Sequence, residues 1–274
     1  MRRMPKHPDP AVPNLANVEI DPSRLRLKRV ATSWEGGEAS TSILARMTVL
    51  QHGGYDEPII TRGKKHLRVR IPSRKTGRRQ MLEGPSEMFL GMDSEANWNV
   101  RDWEAHPMIS SFVYDGKPMT YRVDLMRQLR DGTVECIEAK RTASDLVDPD
   151  YALKLGCYAE ICRRIGWQFD IRYKAEIIGS KARRRTVEML FGQVYKQLDR
   201  SVEKTVERFV NDKVPVAWGS LRDAVAPHSR IEGNAIVCHV STRQRLSFDL
   251  DAEITPDTIV TPLSAPPAVA SMRI

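Results

Sequence analysis

The sequence lacks three features that would each have indicated a class of protein. None of its apolar runs approaches the length needed to cross a bilayer, and the basic start MRRMPKHPDP has no apolar segment behind it, as a secretory signal would. Its four cysteines, in 274 residues, form no C-x-x-C pair, and no Walker pattern for ATP occurs. We therefore expect a cytoplasmic protein with no membrane partner, no structural zinc site and reduced cysteines in its core.

Carboxylates are also absent from one stretch, although the chain as a whole has 35 of them against 43 Lys and Arg residues. Residues 61–82 contain nine basic side chains and no Asp or Glu. A solvated surface normally mixes both signs of charge, so a stretch of one sign favours contact with a polyanion such as DNA. The side chains for which we predict phosphate contact are Arg74, Lys75, Arg78 and Arg79.

The patterns that are present indicate an α/β fold. The segment SEMFLGMD (86–93) predicts a helix, whereas Tyr121, Val123 and Leu125 alternate with polar residues as in a strand. Asp131-Gly132 is a hairpin turn signal, and TVECIEAK after it resumes a strand. A helical stripe over 150–166 and a strand in WQFDIRYKAEII complete the order helix, strands, helix, strand.

A second domain is predicted after a boundary near residues 179–185. VEMLFGQVYKQLD, VEKTVERFVND and SLRDAVAP have helical patterns, and AIVCHV and RLSFDL are predicted to be two strands joined by STRQ. Three helices followed by a hairpin resemble a winged helix-turn-helix. The predicted division is an extension over 1–50, in part mobile, a first domain over 51–178, a second over 179–262, and a tail over 263–274.

Two acidic residues and a lysine are candidates for catalysis. Asp124 is predicted near the centre of one strand, and Glu138 and Lys140 share a face of the next because side chains alternate with a period of two. A hairpin can bring Asp124 beside them. Two carboxylates can hold Mg²⁺ or Mn²⁺ while a lysine orients a water, and Glu87, on the helix upstream, could supply a further carboxylate.

An ordinary surface ion pair would give the same E-x-K spacing, which has many chance matches. The apolar neighbours of these residues favour the functional interpretation, because charged groups within a buried strand require a reason. Isolated histidines such as His66, His106, His228 and His239 have no metal-binding spacing and are expected to be structural.

These residues resemble the PD-(D/E)xK nucleases and, more narrowly, the TnsA-type endonuclease subunit of heteromeric transposases. The segments that carry the resemblance, from residue 68 to 140, are IPSRKTGRR, EGPSE, VRDWEAHP, YRVDL and IEAK. The sequence departs from the family pattern at Val123, where proline is usual, and at His106, where glutamine is usual. The short motif before Glu87 also differs, so that Glu83 is a competing candidate for the upstream acid.

The resemblance implies a restriction-endonuclease-like mixed sheet flanked by helices, followed by a smaller winged-helix-like domain. It implies a bacterial Mg²⁺-dependent (or Mn²⁺-dependent) endonuclease that cuts the 5′ side of transposon ends. Its partners would be the DNA ends, an integrase-type transposase and an ATPase regulator. Glu87, Asp124 and Glu138 would hold the metal, with the carbonyl of Ala139 as a further ligand, and Lys140 would position the water.

Two other functions remain open at this point. The same core could belong to a restriction, repair or phage nuclease that acts alone, in which case it would cut plasmid DNA without a partner. Alternatively, the chain could be a DNA-binding adaptor with an inactive nuclease core, in which case it would bind no divalent cation through Asp124.

Overall fold

The structure, a computed structural model, describes residues 20–21, 24–26, 30–31, 41–42, 46–49 and 67–264. Most of the predicted N-terminal extension, residues 51–66 and the tail from 265 onward lie outside these described residues, and so do Arg62, Lys64 and Lys65 from the basic stretch. The strands before residue 67 are β1 (Leu25–Arg26), β2 (Val30–Ala31), β3 (Thr41–Ser42) and β4 (Arg46–Val49).

The part of the chain that contains the predicted catalytic residues alternates strands with helices. Its elements are β5 (Arg68–Pro72), β6 (Arg79–Glu83), α1 (Gly84–Ala96), β7 (Val100–Ala105), β8 (Met108–Tyr114), β9 (Lys117–Arg122), β10 (Leu125–Leu129), β11 (Val134–Lys140), a 3-10 helix (Ala143–Leu146), α2 (Pro149–Arg164), β12 (Gln168–Tyr173) and α3 (Lys174–Ile178). The predicted helices at 86–93 and 150–166 are confirmed as α1 and α2, and the hairpin turn at Asp131-Gly132 is confirmed between β10 and β11.

The central sheet has the strand order β12-β11-β10-β7. It is mixed, because β11 is parallel to β12 whereas β10 is antiparallel to both of its neighbours. Leu125 and Ile137 pack in a cluster with Leu90 of α1, and Met126 and Cys136 pack in another cluster with residues of α2. The predicted α/β fold, a mixed sheet with helices on both faces, is therefore confirmed.

The segment around Asp124 differs from its prediction. It was expected near the centre of one strand, but β9 ends at Arg122 and pairs with β8 in a separate sheet, whereas β10 begins at Leu125 in the central sheet. Asp124 therefore lies at the crossing between two sheets. Tyr121, Val123 and Leu125 are all buried, so the alternation of burial continues through the break and conceals it.

The C-terminal part consists of four helices and a small sheet. Its elements are α4 (Lys181–Phe191), α5 (Arg200–Asp212), β13 (Val216–Ala217), α6 (Trp218–Val225), α7 (Arg230–Thr242), β14 (Leu246–Ser247) and β15 (Ile259–Pro262). β15 lies between β13 and β14 and is antiparallel to both.

The prediction of a strand at AIVCHV is wrong, because residues 235–240 form the second half of α7. Ile236, Val237, Cys238 and Val240 are all buried, so this helix is apolar around most of its circumference and reads locally like a buried strand. The sequence does contain a signal for this helix, the S-x-x-E pattern typical of a capping box, at Ser229 and Glu232. Ser229 caps the helix by accepting a hydrogen bond from the N–H of Glu232.

Two further boundaries differ from the predictions. The strand predicted over 167–178 ends at Tyr173, and the short helix α3 follows from Lys174. Glu176 accepts a hydrogen bond from the backbone N–H of Tyr173 at 2.7 Å, which caps the start of this helix. The helix predicted over 187–199 begins earlier, at Lys181, and ends at Phe191. Its N-cap, Ser180, accepts a hydrogen bond from the N–H of Arg183.

A buried network of ion pairs joins the C-terminal part to the central sheet. Asp93 of α1, only 4% exposed, accepts from Arg127 of β10 at 3.1 Å and from Arg183 of α4 at 2.7 Å. The indole N–H of Trp98 also donates to the carbonyl of Phe248 at 3.0 Å. The two parts of the chain therefore share polar contacts as well as packing.

The described helices include none with the length and apolar character that a bilayer crossing requires. All four cysteines are buried and unpaired, as predicted.

Candidate active site

Glu87 is held at the start of α1 by two hydrogen bonds. One of its carboxylate oxygens accepts from the backbone N–H of Glu83 at 2.8 Å and lies 3.2 Å from Nε2 of His106. A carboxylate in the first turn also interacts favourably with the helix dipole. The competing candidate, Glu83, pairs instead with Arg68 at 3.0 Å.

Asp124 faces the strand that carries Glu138. The pairing of Leu125 with Ile137 and with Ala105, continued by one residue, sets Asp124 opposite both Glu138 and His106. Its carboxylate accepts from the N–H of Ala139 at 2.8 Å, and its carbonyl accepts from the N–H of His106 at 2.9 Å. Asp124 is thus fixed between strands β7 and β11.

The pKa of Asp124 is raised well above its ordinary value. The main cause is burial, and the negative charges of Glu138 and Glu87 add to it. The ammonium of Lys140 and the N–H of Ala139 act in the opposite direction without cancelling the rise. The three carboxylates are therefore close enough to repel one another, and together they would favour a cation.

Glu138 is almost completely buried, at 2% exposure, and all its partners here are donors. Tyr121 donates to one oxygen at 2.5 Å, while Tyr151 of α2 and the Lys140 ammonium both donate to the other. The Lys140 nitrogen also lies 4.9 Å from the centre of the Tyr151 ring.

Lys140 is held in its charged form. Burial lowers the pKa of its ammonium, but Glu138 and Asp124 outweigh that effect and raise the pKa above its ordinary value. Burial, followed by the charge of Glu138, raises the pKa of Tyr121 and of Tyr151, so that both phenols remain donors at neutral pH.

Sequence reasoning missed three of these residues as parts of the site: His106, Tyr121 and Tyr151. Strand register brings His106 to Asp124, and the packing of α2 brings Tyr151 to Glu138, so neither contact has a local signal in the sequence. The alternation of Tyr121 with Val123 and Leu125 places Tyr121 on the face opposite to Asp124, so the local pattern gives no signal for Tyr121 either.

The donor set fits a hard divalent cation in charge and chemistry, since Glu87, Asp124 and Glu138 supply carboxylate oxygens against the single positive charge of Lys140. The arrangement is not that of a formed metal site: within the described residues, no group of three or more His, Cys, Asp or Glu side chains is placed to hold a metal ion. Glu138 is directed toward Lys140 and the tyrosines instead. Ala139 contributes its N–H to Asp124.

The four predicted DNA-contacting residues lie on the hairpin of β5 and β6 in different environments. Arg79 is exposed, and the exposed Arg78 pairs with Glu104 at 3.1 Å. Lys75 turns inward and donates to the carbonyls of Ser94 and Asn97, at 2.8 and 2.7 Å, at the end of α1. Burial lowers the pKa of Lys75 to about 7.

Arg74, the fourth of these residues, is half-buried, and its backbone N–H donates to Glu95 at 2.8 Å.

Comparison with known proteins gives no family model that matches this chain and no match among curated proteins. What the site can do therefore follows from its own side chains.

Proposed function

We propose that the protein is a divalent-metal-dependent DNA endonuclease whose active site consists of Glu87, Asp124, Glu138 and Lys140. The observation that carries the proposal is the meeting of Asp124 and Glu138 across adjacent strands, with Lys140 paired to Glu138 and with the charge of Glu87 acting on Asp124. Residues distant in sequence meet there in partly or wholly buried positions. A surface ion pair would not require three carboxylates around one lysine.

The metal expected in such a site is Mg²⁺ or Mn²⁺, held by Glu87, Asp124 and Glu138 together with the carbonyl of Ala139. When bound, it would polarise a phosphate group and lower the pKa of a water molecule. The charge of three carboxylates against one ammonium supports a cation here.

The side chains of the protein contribute positioning and charge. Lys140 stays protonated and can donate to a water or to a phosphate oxygen, offsetting negative charge that develops during cleavage. His106 holds Glu87, and the N–H of Ala139 holds Asp124, so both carboxylates have fixed orientations. Tyr121 and Tyr151 hold Glu138 in the same way.

The charge distribution supports DNA as the substrate. The chain carries a net charge of +8, and the hairpin that leads into Glu87 bears Arg74, Arg78 and Arg79. We assign the phosphate contacts to these three arginines. For Lys75 we assign a role in packing the turn against α1, because its nitrogen is taken up by two helix carbonyls.

The narrower proposal is a TnsA-type subunit that cuts the 5′ side of transposon ends beside an integrase-type transposase and an ATPase regulator. The sequence motifs from residue 68 to 140 support it, together with a mixed sheet that fits a restriction-endonuclease-like core. The order α5, β13, α6, α7, β14, β15, with β15 between the other two strands, supports a winged-helix domain.

A cleavage assay tests this function. Labelled duplexes that carry a transposon end would be incubated with Mg²⁺, the integrase-type transposase and either the wild-type protein or one of three variants, two in the site and one control. We expect 5′-strand cutting to fall at least about 100-fold in Asp124→Asn and in Lys140→Ala, and to be unchanged in Arg184→Ala, which alters an exposed helix pair. Normal cutting by either site variant would refute the assignment, whereas robust plasmid cutting without the transposase would favour a nuclease that acts alone.

A further inference from the structure

A basic cleft lies between the β5–β6 hairpin and the C-terminal part of the chain. It has a volume of about 680 Å³, and its lining Lys and Arg residues come from three places. Arg74 comes from the hairpin, Lys196 from the loop after α4, and Arg243 and Arg245 from the segment between α7 and β14. A smaller cleft of about 190 Å³ shares Arg74 and Arg243 with it, so the two clefts are adjacent there.

The positive charge of this cleft is only partly balanced. Lys196 pairs with Glu232 at 2.8 Å, and two glutamates of α5, Glu203 and Glu207, also line the wall. Arg74, Arg243 and Arg245, in contrast, form no ion pair with any described residue. Three guanidinium groups at one cleft, one from the hairpin and two from the segment after α7, repel one another unless an anion lies between them.

The local contacts of Arg74 strengthen this interpretation. Burial lowers the pKa of its guanidinium, which has therefore lost part of its hydration. The nearest acid, Glu95, is already engaged, since it accepts from the Ser73 hydroxyl at 2.6 Å, from the Trp103 indole at 2.8 Å and from the N–H of Arg74. The donors of the Arg74 side chain are thus left for a ligand.

We propose that this cleft is a second phosphate-binding subsite, which holds a phosphodiester of the DNA strand away from the point of cleavage. The proposal rests on the endonuclease function proposed above and specifies how the substrate would lie. Arginine recognises phosphate oxygens through paired N–H donors. Tyr195, which is 54% exposed and lines the same cleft, offers a ring on which a base can stack, which favours nucleic acid over a free phosphate.

The fold sets the distance between the two sites. Glu87 lies in the first turn of α1 and Glu95, which binds Arg74, near its end, so that eight residues separate them, or roughly 12 Å along the axis. Successive phosphates of one DNA strand rise about 3.4 Å along the duplex. A separation of this order exceeds one nucleotide step, so the subsite would engage a phosphate other than the scissile one.

Equilibrium binding tests the proposal without any need for cleavage. The affinity of the full-length protein for a labelled duplex would be measured in EDTA over a range of salt concentrations, for the wild type and for the double variant Arg243→Ala, Arg245→Ala. A matched control, Lys117→Ala with Arg208→Ala, removes two exposed charges outside the cleft. We expect the cleft variant to bind about tenfold more weakly and its salt slope to fall by about 1–2, with the control within about twofold of the wild type.

The possible outcomes distinguish the subsite from the enzyme. If the wild type binds and cuts DNA but the cleft variant has the same affinity and salt slope as the control, the subsite is wrong and the endonuclease stands. If the wild type binds no DNA in EDTA, the subsite is wrong, and the cleavage assay with Mg²⁺ and the transposase decides whether the endonuclease stands. Because Arg243 is exposed, the single variant Arg243→Glu retains a readout if the double variant does not fold.

A calorimetric titration with ATP tests whether the cleft binds the phosphates of a free nucleotide instead of those of DNA. Binding of ATP that is lost in Arg243→Glu, with DNA affinity unchanged, would show a nucleotide site and overturn the proposal. Absence of ATP binding alongside weakened DNA binding in the same variant would support it.

Discussion

The Nε2 atom of His106 lies 3.2 Å from a carboxylate oxygen of Glu87, while the backbone N–H of His106 donates to the carbonyl of Asp124. One residue thus links two of the proposed metal ligands, and it does so with a positive φ of 47°, a conformation in which histidine is enriched. Outer partners of this kind fix the orientation of a ligand.

Replacing His106 should therefore weaken the site without removing any ligand. We expect His106→Ala to lower Mg²⁺-dependent cleavage about 10- to 100-fold, because Glu87 loses a donor. His106→Gln retains an N–H donor and should recover most of that loss. Cleavage rates measured over a range of Mg²⁺ concentrations check this, and a wild-type rate in His106→Ala would show that the imidazole does not position Glu87.

Asp124 should reduce the stability of the metal-free protein at neutral pH. Its pKa is raised on folding, so the folded state holds a proton over a range of pH in which the unfolded state has lost it, and stability falls as the pH rises from about 4 through the folded pKa. We expect Asp124→Asn to raise the free energy of unfolding at pH 7 by about 0.5–2 kcal/mol, and the gain to shrink toward pH 4.

Urea unfolding in EDTA, over a series of pH values, measures this effect. Mg²⁺ should reverse the order, since only the wild type would gain stability from binding it. A variant less stable than the wild type at pH 7 in EDTA would contradict the pKa shift.

The two tyrosines should differ in their importance for stability. Tyr121→Phe leaves one oxygen of the buried Glu138 without the donor that it has here, which we expect to cost about 1–3 kcal/mol. Tyr151→Phe should cost less, because Lys140 still donates to the other oxygen and the ring remains beside the ammonium. Urea unfolding of both variants checks the order, and an equal or reversed cost would show that Glu138 is not held as described.

The Asp93 network should be among the most sensitive points of the fold. Asp93→Ala leaves Arg127 and Arg183 without this shared partner, although Glu135 and Asp251 still pair with them. We expect a loss of about 2–3 kcal/mol in unfolding free energy. Glu188→Ala, a matched control, removes an acid from an exposed helix pair with Arg184 and should cost about 0.5 kcal/mol or less. A small loss in Asp93→Ala would mean that the network contributes little to the joining of the two parts.

Strong local signals allowed part of this fold to be predicted from the sequence. The turn at Asp131-Gly132 and the helical stripe of α2 depend on neighbouring residues, and both are confirmed. The break at Asp124 could not be predicted, because a strand that leaves one sheet for another keeps the same alternation of burial. The second half of α7 was mistaken for a strand because burial on most sides removes the helical period.

The candidate site could likewise be predicted from the sequence only in part. Strand periodicity places Glu138 and Lys140 on one face, and the observed Glu138–Lys140 pair agrees with that prediction. The roles of His106 and Tyr151 depend on strand register and helix packing, which the sequence around them does not encode. The inward turn of Lys75 depends likewise on where α1 ends.

The most direct test of the proposed site is a calorimetric titration of the purified protein with Mn²⁺. The wild type should show saturable binding, and Asp124→Asn should bind at least about tenfold more weakly. Asp131→Asn, which changes an exposed acid in the turn at the far end of the β10–β11 hairpin, should bind like the wild type. Binding of equal strength by the wild type and Asp124→Asn, or no binding by the wild type, would contradict a metal site formed around Asp124.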